Sequence, residues 1–263
     1  MDSKRSERSR PAQVQGAAAV TKGLRLLQVI PELGPEASAR AIQQRLEMPR
    51  PTVYRLLNTL EQEGFIERNP LGGEYVLGRQ ILRLAQQSLT QGSLQARFRP
   101  TLQAIGKATG ETVHLGVPYG CHMTFIDKVE STDAVRMASY IGMPIPMHST
   151  SVGKAYLAAL DAAECEQYLE KLRLEPVTER TLISLDALRD ELACTRERGY
   201  AIDDEENEPG IICFGRAIRA ADGTPAGGIS VSVPRYRLHD DVRQGVIDAL
   251  FRLIERATLT PRR

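Results

Sequence analysis

The stretch Arg50-Pro51-Thr52-Val53-Tyr54-Arg55-Leu56-Leu57-Asn58-Thr59-Leu60 constrains the fold more than any other part of the chain. Val53, Leu56, Leu57 and Leu60 recur at the spacing of one helix face. At about 100° per residue, Pro51, Arg55, Asn58 and Gln62 fall on the opposite face, flanked by Thr52, Tyr54 and Thr59. One face is therefore aliphatic. The other carries Arg and Asn, residue types that read base edges and phosphates. An ordinary amphipathic helix would look similar, so the neighbouring segments decide between the two readings.

Upstream, Ala17 to Leu33 has helical spacing: Val20, Leu24, Leu27 and Pro31 form one line, and Leu26 and Ile30 widen it. Pro31 and Gly34-Pro35 end it. Ser38 is placed to cap a short helix over Ala39 to Glu47, with Ile42 and Leu46 inward. Met48-Pro49-Arg50 is a turn, and Pro51 suits the first position of the next helix. Helix, short helix, tight turn and helix is the helix-turn-helix order. Gly64 stops the third helix. Phe65 to Arg68 and Glu74 to Leu77 then read as a hairpin around Asn69-Pro70-Leu71-Gly72-Gly73, in the position of a wing. The order predicts a winged helix-turn-helix over residues 16-78 that binds double-stranded DNA, the alternative being a winged helix that binds protein instead. Gly78 to Gln91 is again helical, with Ile81, Leu82, Leu84, Ala85 and Leu89 apolar. It reads as a linker helix over 79-92 and a candidate dimer contact.

Charge distribution agrees with a DNA-binding head on a different body. Net charge is only +1, but residues 1-92 hold 13 Lys+Arg against 9 Asp+Glu, and the remainder 21 against 24. Residues 1-15 carry Lys4, Arg5, Arg8 and Arg10 without an apolar core, which suggests a disordered basic arm rather than a secretory signal. No apolar run reaches the roughly 18 residues of a membrane span. Cys121, Cys165, Cys194 and Cys213 lie far apart with no Cys-x-x-Cys pair, which argues against zinc and disulfides and for reduced thiols in a cytosol.

Residues 93-263 predict an α+β domain on an antiparallel sheet. Helix is expected over 93-109, broken or opened near Pro100. Strands are expected at Glu111 to Val117, Cys121 to Val129, Ala134 to Tyr140, Tyr200 to Ile202, Ile211 to Arg219 and Ala226 to Val233. Ile141 to Met147 is too proline-rich for a helix or a central strand. Further helices are expected from Ser149-Gly153 to Leu160, after caps at Asp161 and Ser184, and from Leu238 to Ala257.

Several groupings invite a chemical reading. Ser151-Val152-Gly153-Lys154-Ala155 imitates a phosphate loop, but His148 stands where its first Gly belongs and Ala155 replaces the magnesium-binding hydroxyl. Asp203-Asp204-Glu205-Glu206 lacks the alternation of a metal loop and reads as a solvated acidic run. Ser230 and Ser232 share one face of a strand, as a polar pocket wall or as the wet side of a half-exposed strand. The four histidines lack metal spacing, and no base accompanies Cys213 or a serine, so no catalytic array, metal site or cofactor is expected.

Four motifs taken together resemble the IclR family of bacterial transcriptional regulators: Met48 to Leu57, Pro146 to Ala155, Gly199 to Glu206, and Ile229 to Pro234. The resemblance spans roughly Ala17 to Ala257. It implies a winged-helix head, a GAF-like effector domain, and a homodimer or homotetramer on a palindromic operator. In the head it implies DNA contacts at Arg50, Thr52, Tyr54 and Arg55, and the polar face adds Asn58. In the body it implies a small-ligand pocket at Met137, Ser151, Val152, Asp203, Ile211, Cys213, Ser230 and Ser232. The expected effector is a small organic acid or aromatic catabolite, bound without a fixed cation. The expected output is control of a catabolic operon through head spacing on two half-sites. Phe214 after Cys213, Arg219-Ala220 in place of an aromatic and an acid, and Ser151-Val152 in place of a smaller pair depart from the family pattern and suggest a narrower pocket. Two rival readings are a thiol redox sensor through Cys213, and a small-molecule enzyme with an accessory winged helix.

Overall fold

The computed structural model describes residues 17–69, 72–89, 94–133, 138–220 and 222–259. The basic arm, Met137 and the first part of the strand expected at 134–140 lie outside them; residues 138–140 form no strand. The chain divides into two compact units, Met1–Gly92 and Ser93–Arg263.

The first unit opens with α1 (Ala18–Leu33), a short 3-10 turn at Gly34–Glu36, and α2 (Ala39–Leu46). The Ser38 hydroxyl accepts from the Ala41 amide and so caps α2. Glu47 takes the left-handed conformation, φ 53°, and turns the chain into α3 (Arg50–Gln62). A wing of β1 (Ile66–Arg68) and β2 (Tyr75–Leu77) follows, then α4 (Arg79–Leu89). Leu26, Ile30, Ile42, Val53, Leu57, Ile66 and Tyr75 form the core of this unit. The Tyr75 amide donates to the Ala37 carbonyl at 2.9 Å, which ties the wing to the turn after α1.

Only part of the apolar surface read on α1 is buried. Val20 and Leu24 are 64% and 57% exposed, while Gly23, Leu26, Val29 and Ile30 are buried. Helix α1 has two apolar stripes, and periodicity alone does not choose between them. Packing against α2 and α3 selects the stripe through Leu26 and Ile30. Val20 and Leu24 instead line an open cleft with Leu56 and Leu60.

The second unit begins with α5 (Leu94–Thr109), which runs unbroken through Pro100, contrary to expectation. Pro100 lies on the exposed side, where a gently curved helix tolerates it. There follow β3 (Thr112–Tyr119), β4 (His122–Val129), β5 (Pro144–Pro146), α6 (Ser151–Ala159), α7 (Ala162–Leu169), α8 (Leu185–Arg198), β6 (Ala201–Asp204), β7 (Ile211–Arg219), β8 (Pro225–Pro234) and α9 (Asp240–Leu259). The strands form one antiparallel sheet in the order β5-β4-β3-β8-β7-β6. The proline-flanked β5 takes an edge, where missing donors cost least. Thr150, Asp161 and Ser184 cap α6, α7 and α8, and Gly199 at φ 80° ends α8.

Alternation gives the sheet two different faces. Val113, Leu115, Phe214, Ile229, Val231 and Val233 point to one side and pack under α5 and α9. The opposite side carries α6, with α7 and α8 around it. Gly116, Gly215 and Gly228 form the track on which α6 lies. A Cβ at Gly215 would stand 2.5 Å from the Ser151 carbonyl oxygen, and one at Gly228 2.9 Å from a Val152 methyl. Among the described residues, no helix is long and apolar enough to cross a membrane.

Candidate functional site

In the head, α3 presents Arg50, Tyr54, Arg55 and Asn58 to solvent, with Thr52 half-buried beside them. The Arg50 guanidinium lies 5.3 Å from the Tyr54 ring centre, so these two side chains stand together at the start of the helix. No acidic residue occupies the first turn of α3 and no side chain caps it. Pro51 has no amide proton and the Thr52 and Val53 amides donate to the Pro49 carbonyl, so the helix dipole rather than a set of free amides favours a phosphate at this end. In the wing, Arg68 donates to the Tyr75 hydroxyl at 2.6 Å.

In the body, strand register assembles the second site. Thr112 pairs with Ser232, Ser232 with Cys213, and Cys213 with Asp203, so four strands place these side chains in one row. The next row runs His114, Ser230, Gly215. The N-terminus of α6 stands over Gly215, bringing Ser151 and Val152 to the same face. The sheet therefore brings together Ser151, Val152, Asp203, Cys213, Ser230 and Ser232, and Ile211 shares the face of Cys213 two residues away. Ser230 and Ser232 are each only 3% exposed, so the wet-strand alternative fails: helices cover both sides of this sheet. The Cys213 thiol donates to the Ser232 hydroxyl at 3.3 Å.

The acidic run is the larger correction. Asp203 and Glu206 are buried, not solvated, because the strand β6 carries the first inward and a tight loop turns the second back. Asp203 Oδ1 accepts from the Glu206 and Asn207 amides at 2.8 and 3.2 Å. Glu206 Oε1 accepts from Lys154 Nζ at 2.6 Å. Lys154 itself is fully buried, with Glu191 at 3.5 Å, and Arg198 donates to Glu191 at 2.5 Å. A fixed cation thus stands beside the pocket face, contrary to expectation, but carboxylates already hold it. Asp204 and Glu205 face outward to Arg180 and Arg235.

These groups titrate abnormally. Burial, reinforced by the Glu206 charge, pushes Asp203 up to about 7. Burial also raises Glu206, against the pull of Lys154. The Cys213 thiol is driven well above its usual range by burial and by Asp203, which opposes the thiolate a redox sensor needs. His114 on β3 was missed in the sequence because a lone histidine in a strand carries no spacing signal. It is fully buried, stacked on Phe125 with ring centres 4.3 Å apart, and burial with the nearby Lys128 lowers it to about 3.

Asp203 yields a direct test. A carboxyl raised in the folded state binds its proton before the unfolded chain does, so it favours folding increasingly as pH falls from about 7 towards 3.8. Above that window the ionised group opposes folding. Asp203→Asn is expected to raise the urea midpoint at pH 8, and the gain over wild type is expected to shrink at pH 5. An equal gain at both pH values would remove Asp203 as the source.

A helix-turn-helix with a wing, joined to a domain whose polar site lies inside a sheet, defines a DNA-binding regulator with an internal sensing domain. Comparison with known proteins gives the family. Residues 19–70 match the IclR helix-turn-helix domain, and residues 86–255 match the bacterial transcriptional regulator IclR C-terminal domain. The transcriptional repressor IclR of Escherichia coli is 34% identical over 224 residues, covering 84% of this chain and 82% of that one. The regulator KdgR of Escherichia coli is 31% identical over 238 residues, covering 90% of each. The crystal structure of Thermotoga maritima IclR superposes with a TM-score of 0.79 at 31% identity, over 91% of this chain and 96% of that one. The chain belongs to the IclR family of bacterial transcriptional regulators, DNA-binding proteins and not enzymes.

Proposed function

We propose that the protein is a homo-oligomeric regulator of a catabolic operon whose body binds a small carboxylate and whose α3 reads the operator. Residues 16-78 serve as the DNA-binding head, 79-92 as the linker helix and 93-263 as a GAF-like effector domain. The observation that carries the effector reading is the Ser151 hydroxyl, buried and without a partner, at the start of α6. An anion there meets that hydroxyl, the first amides of α6 and the dipole of a helix with no acid in its first turn. Ser230 and Ser232 supply further hydroxyls, and Val152 and Ile211 supply apolar wall.

Serine hydroxyls and amides hold a carboxylate reversibly, which suits a sensor that must release its ligand. Ser230→Ala with Ser232→Ala is expected to abolish the response to small acids while leaving operator affinity unchanged. A mobility-shift titration with a panel of such acids checks it, and a double variant that still responds removes these serines from the pocket.

In the head, Arg50, Thr52, Tyr54, Arg55 and Asn58 form the reading surface. Arg55→Ala is expected to weaken specific operator binding by roughly 1–3 kcal/mol. Unchanged affinity would take Arg55 off that surface. Exposed Leu82 and Ala85, three residues apart on α4, give the linker helix an apolar face suited to a second copy of the chain.

A further inference from the structure

Among the described residues, four buried side-chain atoms lack a hydrogen-bond partner: His114 Nδ1, Asp127 Oδ2, Ser151 Oγ and Glu206 Oε2. Asp127 and Glu206 are held through their other oxygens by Arg99 and Lys154, which leaves Ser151 and His114 on the pocket face. Buried polar groups without partners are rare in folded proteins and point to a missing one. The first belongs to the carboxylate subsite proposed above. The second lies elsewhere on the same face. His114 pairs with Ser230, and Ser230 with Gly215, over which Ser151 stands. Two strand spacings of about 4.8 Å separate the His114 and Gly215 backbones, so about 10 Å of sheet lies between the two subsites at backbone level. The Ser230 hydroxyl stands between them.

We infer that His114 is a specificity-determining effector contact, its Nδ1 hydrogen-bonding a hydroxyl at the end of the effector remote from the carboxylate. The inference rests on the carboxylate reading of the pocket and names the second group of that ligand.

Three features select a neutral hydroxyl over a second charge. First, the imidazole is neutral, since burial and Lys128 hold it far below its ordinary range. Second, the nearby cations are taken. Lys128 donates to the Ser139 carbonyl at 2.5 Å and pairs with Glu130 at 2.7 Å, and Lys154 is held by Glu206 and Glu191. A second carboxylate beside His114 would meet no free cation among the described residues. Third, His114 Nε2 sits 2.7 Å from the Ser139 hydroxyl, which can donate or accept. The tautomer can therefore follow the ligand, and a hydroxyl is the group that can match either form. Phe125, stacked on the ring, fixes its plane.

Matched acid pairs separate the two levels of the argument. Calorimetric titration of the full-length protein would compare 4-hydroxybutanoate with butanoate, and 4-hydroxybenzoate with benzoate. At least one hydroxylated acid is expected to bind about tenfold more tightly than its parent, the worth of one good buried hydrogen bond. His114→Phe, which keeps a ring against Phe125, and His114→Gln, which keeps only the distal nitrogen position, are expected to bring that ratio to about one. His114→Asn, which keeps a polar atom at the Nδ1 position, is expected to retain most of it. Preference absent in the wild type, or unaltered in the Phe and Gln variants, overturns the role of His114 and leaves the carboxylate pocket standing. No acid binding, or binding indifferent to Ser230→Ala with Ser232→Ala, overturns the pocket and His114 with it. Nitrogen-15 spectra of histidine-labelled wild-type protein give a readout independent of variant folding. The His114 Nδ1 signal is expected to move with the hydroxylated acid and not its parent; a stationary signal overturns the proposal.

Discussion

Lys154→Met is expected to cost about 3–5 kcal/mol of folding stability at pH 8, the loss seen when one partner of a buried ion pair is removed. Lys154 is fully buried, and its ammonium lies 2.6 Å from Glu206 and 3.5 Å from Glu191. Without it, Glu206 and the neighbouring Asp203 are left in a low-dielectric site with no cation to offset their charge. Urea denaturation measures the effect as a fall in midpoint. Both carboxyls are raised by burial, so they take up protons in the folded state as pH falls, and the deficit of the variant should narrow at pH 5. Adding Glu206→Gln to Lys154→Met should recover much of the loss. A single variant as stable as wild type at pH 8 would mean that solvent reaches these carboxylates and that the cluster does not hold α6 to the loop after β6.

Gly215→Ala is the second large effect, and it acts on packing rather than charge. The new methyl would meet the Ser151 carbonyl oxygen at 2.5 Å and the Val152 amide at 3.0 Å, both backbone atoms that no rotamer change can clear. The start of α6 must lift from the sheet. Overpacking of this kind costs about 1–3 kcal/mol, and the effector response is expected to suffer more than stability, because the displaced turn is the proposed carboxylate subsite. The control is Gly245→Ala in α9, where nothing lies within 4 Å of the added atom. There the helix should gain up to about 1 kcal/mol. Thermal melting and effector-dependent operator release measure the two quantities. If Gly215→Ala melts and responds like wild type, α6 does not rest on the glycine track.

The head was the more legible half. Its elements are local: the Ser38 cap, the proline at the start of α3, Gly64 and the wing turn each act within a few residues, and the helix and strand bounds follow from them. Even there, the choice between the two apolar stripes of α1 was not local, and Val20 and Leu24 went to the surface. In the body, β7 was readable to the residue because its apolar run from Ile211 is bounded by Pro209-Gly210 and by the turn after Arg219, whereas the continuation of α5 through Pro100 depended on which side of the helix met solvent.

The sequence by itself determined the two polar and apolar faces of α3, the family, through four spaced motifs, and the order of elements in the head and most of it in the body, where β5 and not a strand at 138–140 follows β4. Tertiary structure decided the candidate site. Whether a serine strand is wet depends on what covers the sheet, and only the seating of α6 on Gly116, Gly215 and Gly228 buries Ser230 and Ser232. Whether Asp203 and Glu206 are solvated depends on a lysine some fifty residues earlier in the chain folding back to meet them. His114 enters the pocket face only because β3 pairs with β8 in a register that aligns it with Ser230. Each is a contact between distant segments. Local spacing carries no information about such contacts, and the desolvation that gives these groups their chemistry exists only once the sheet and its helices have closed.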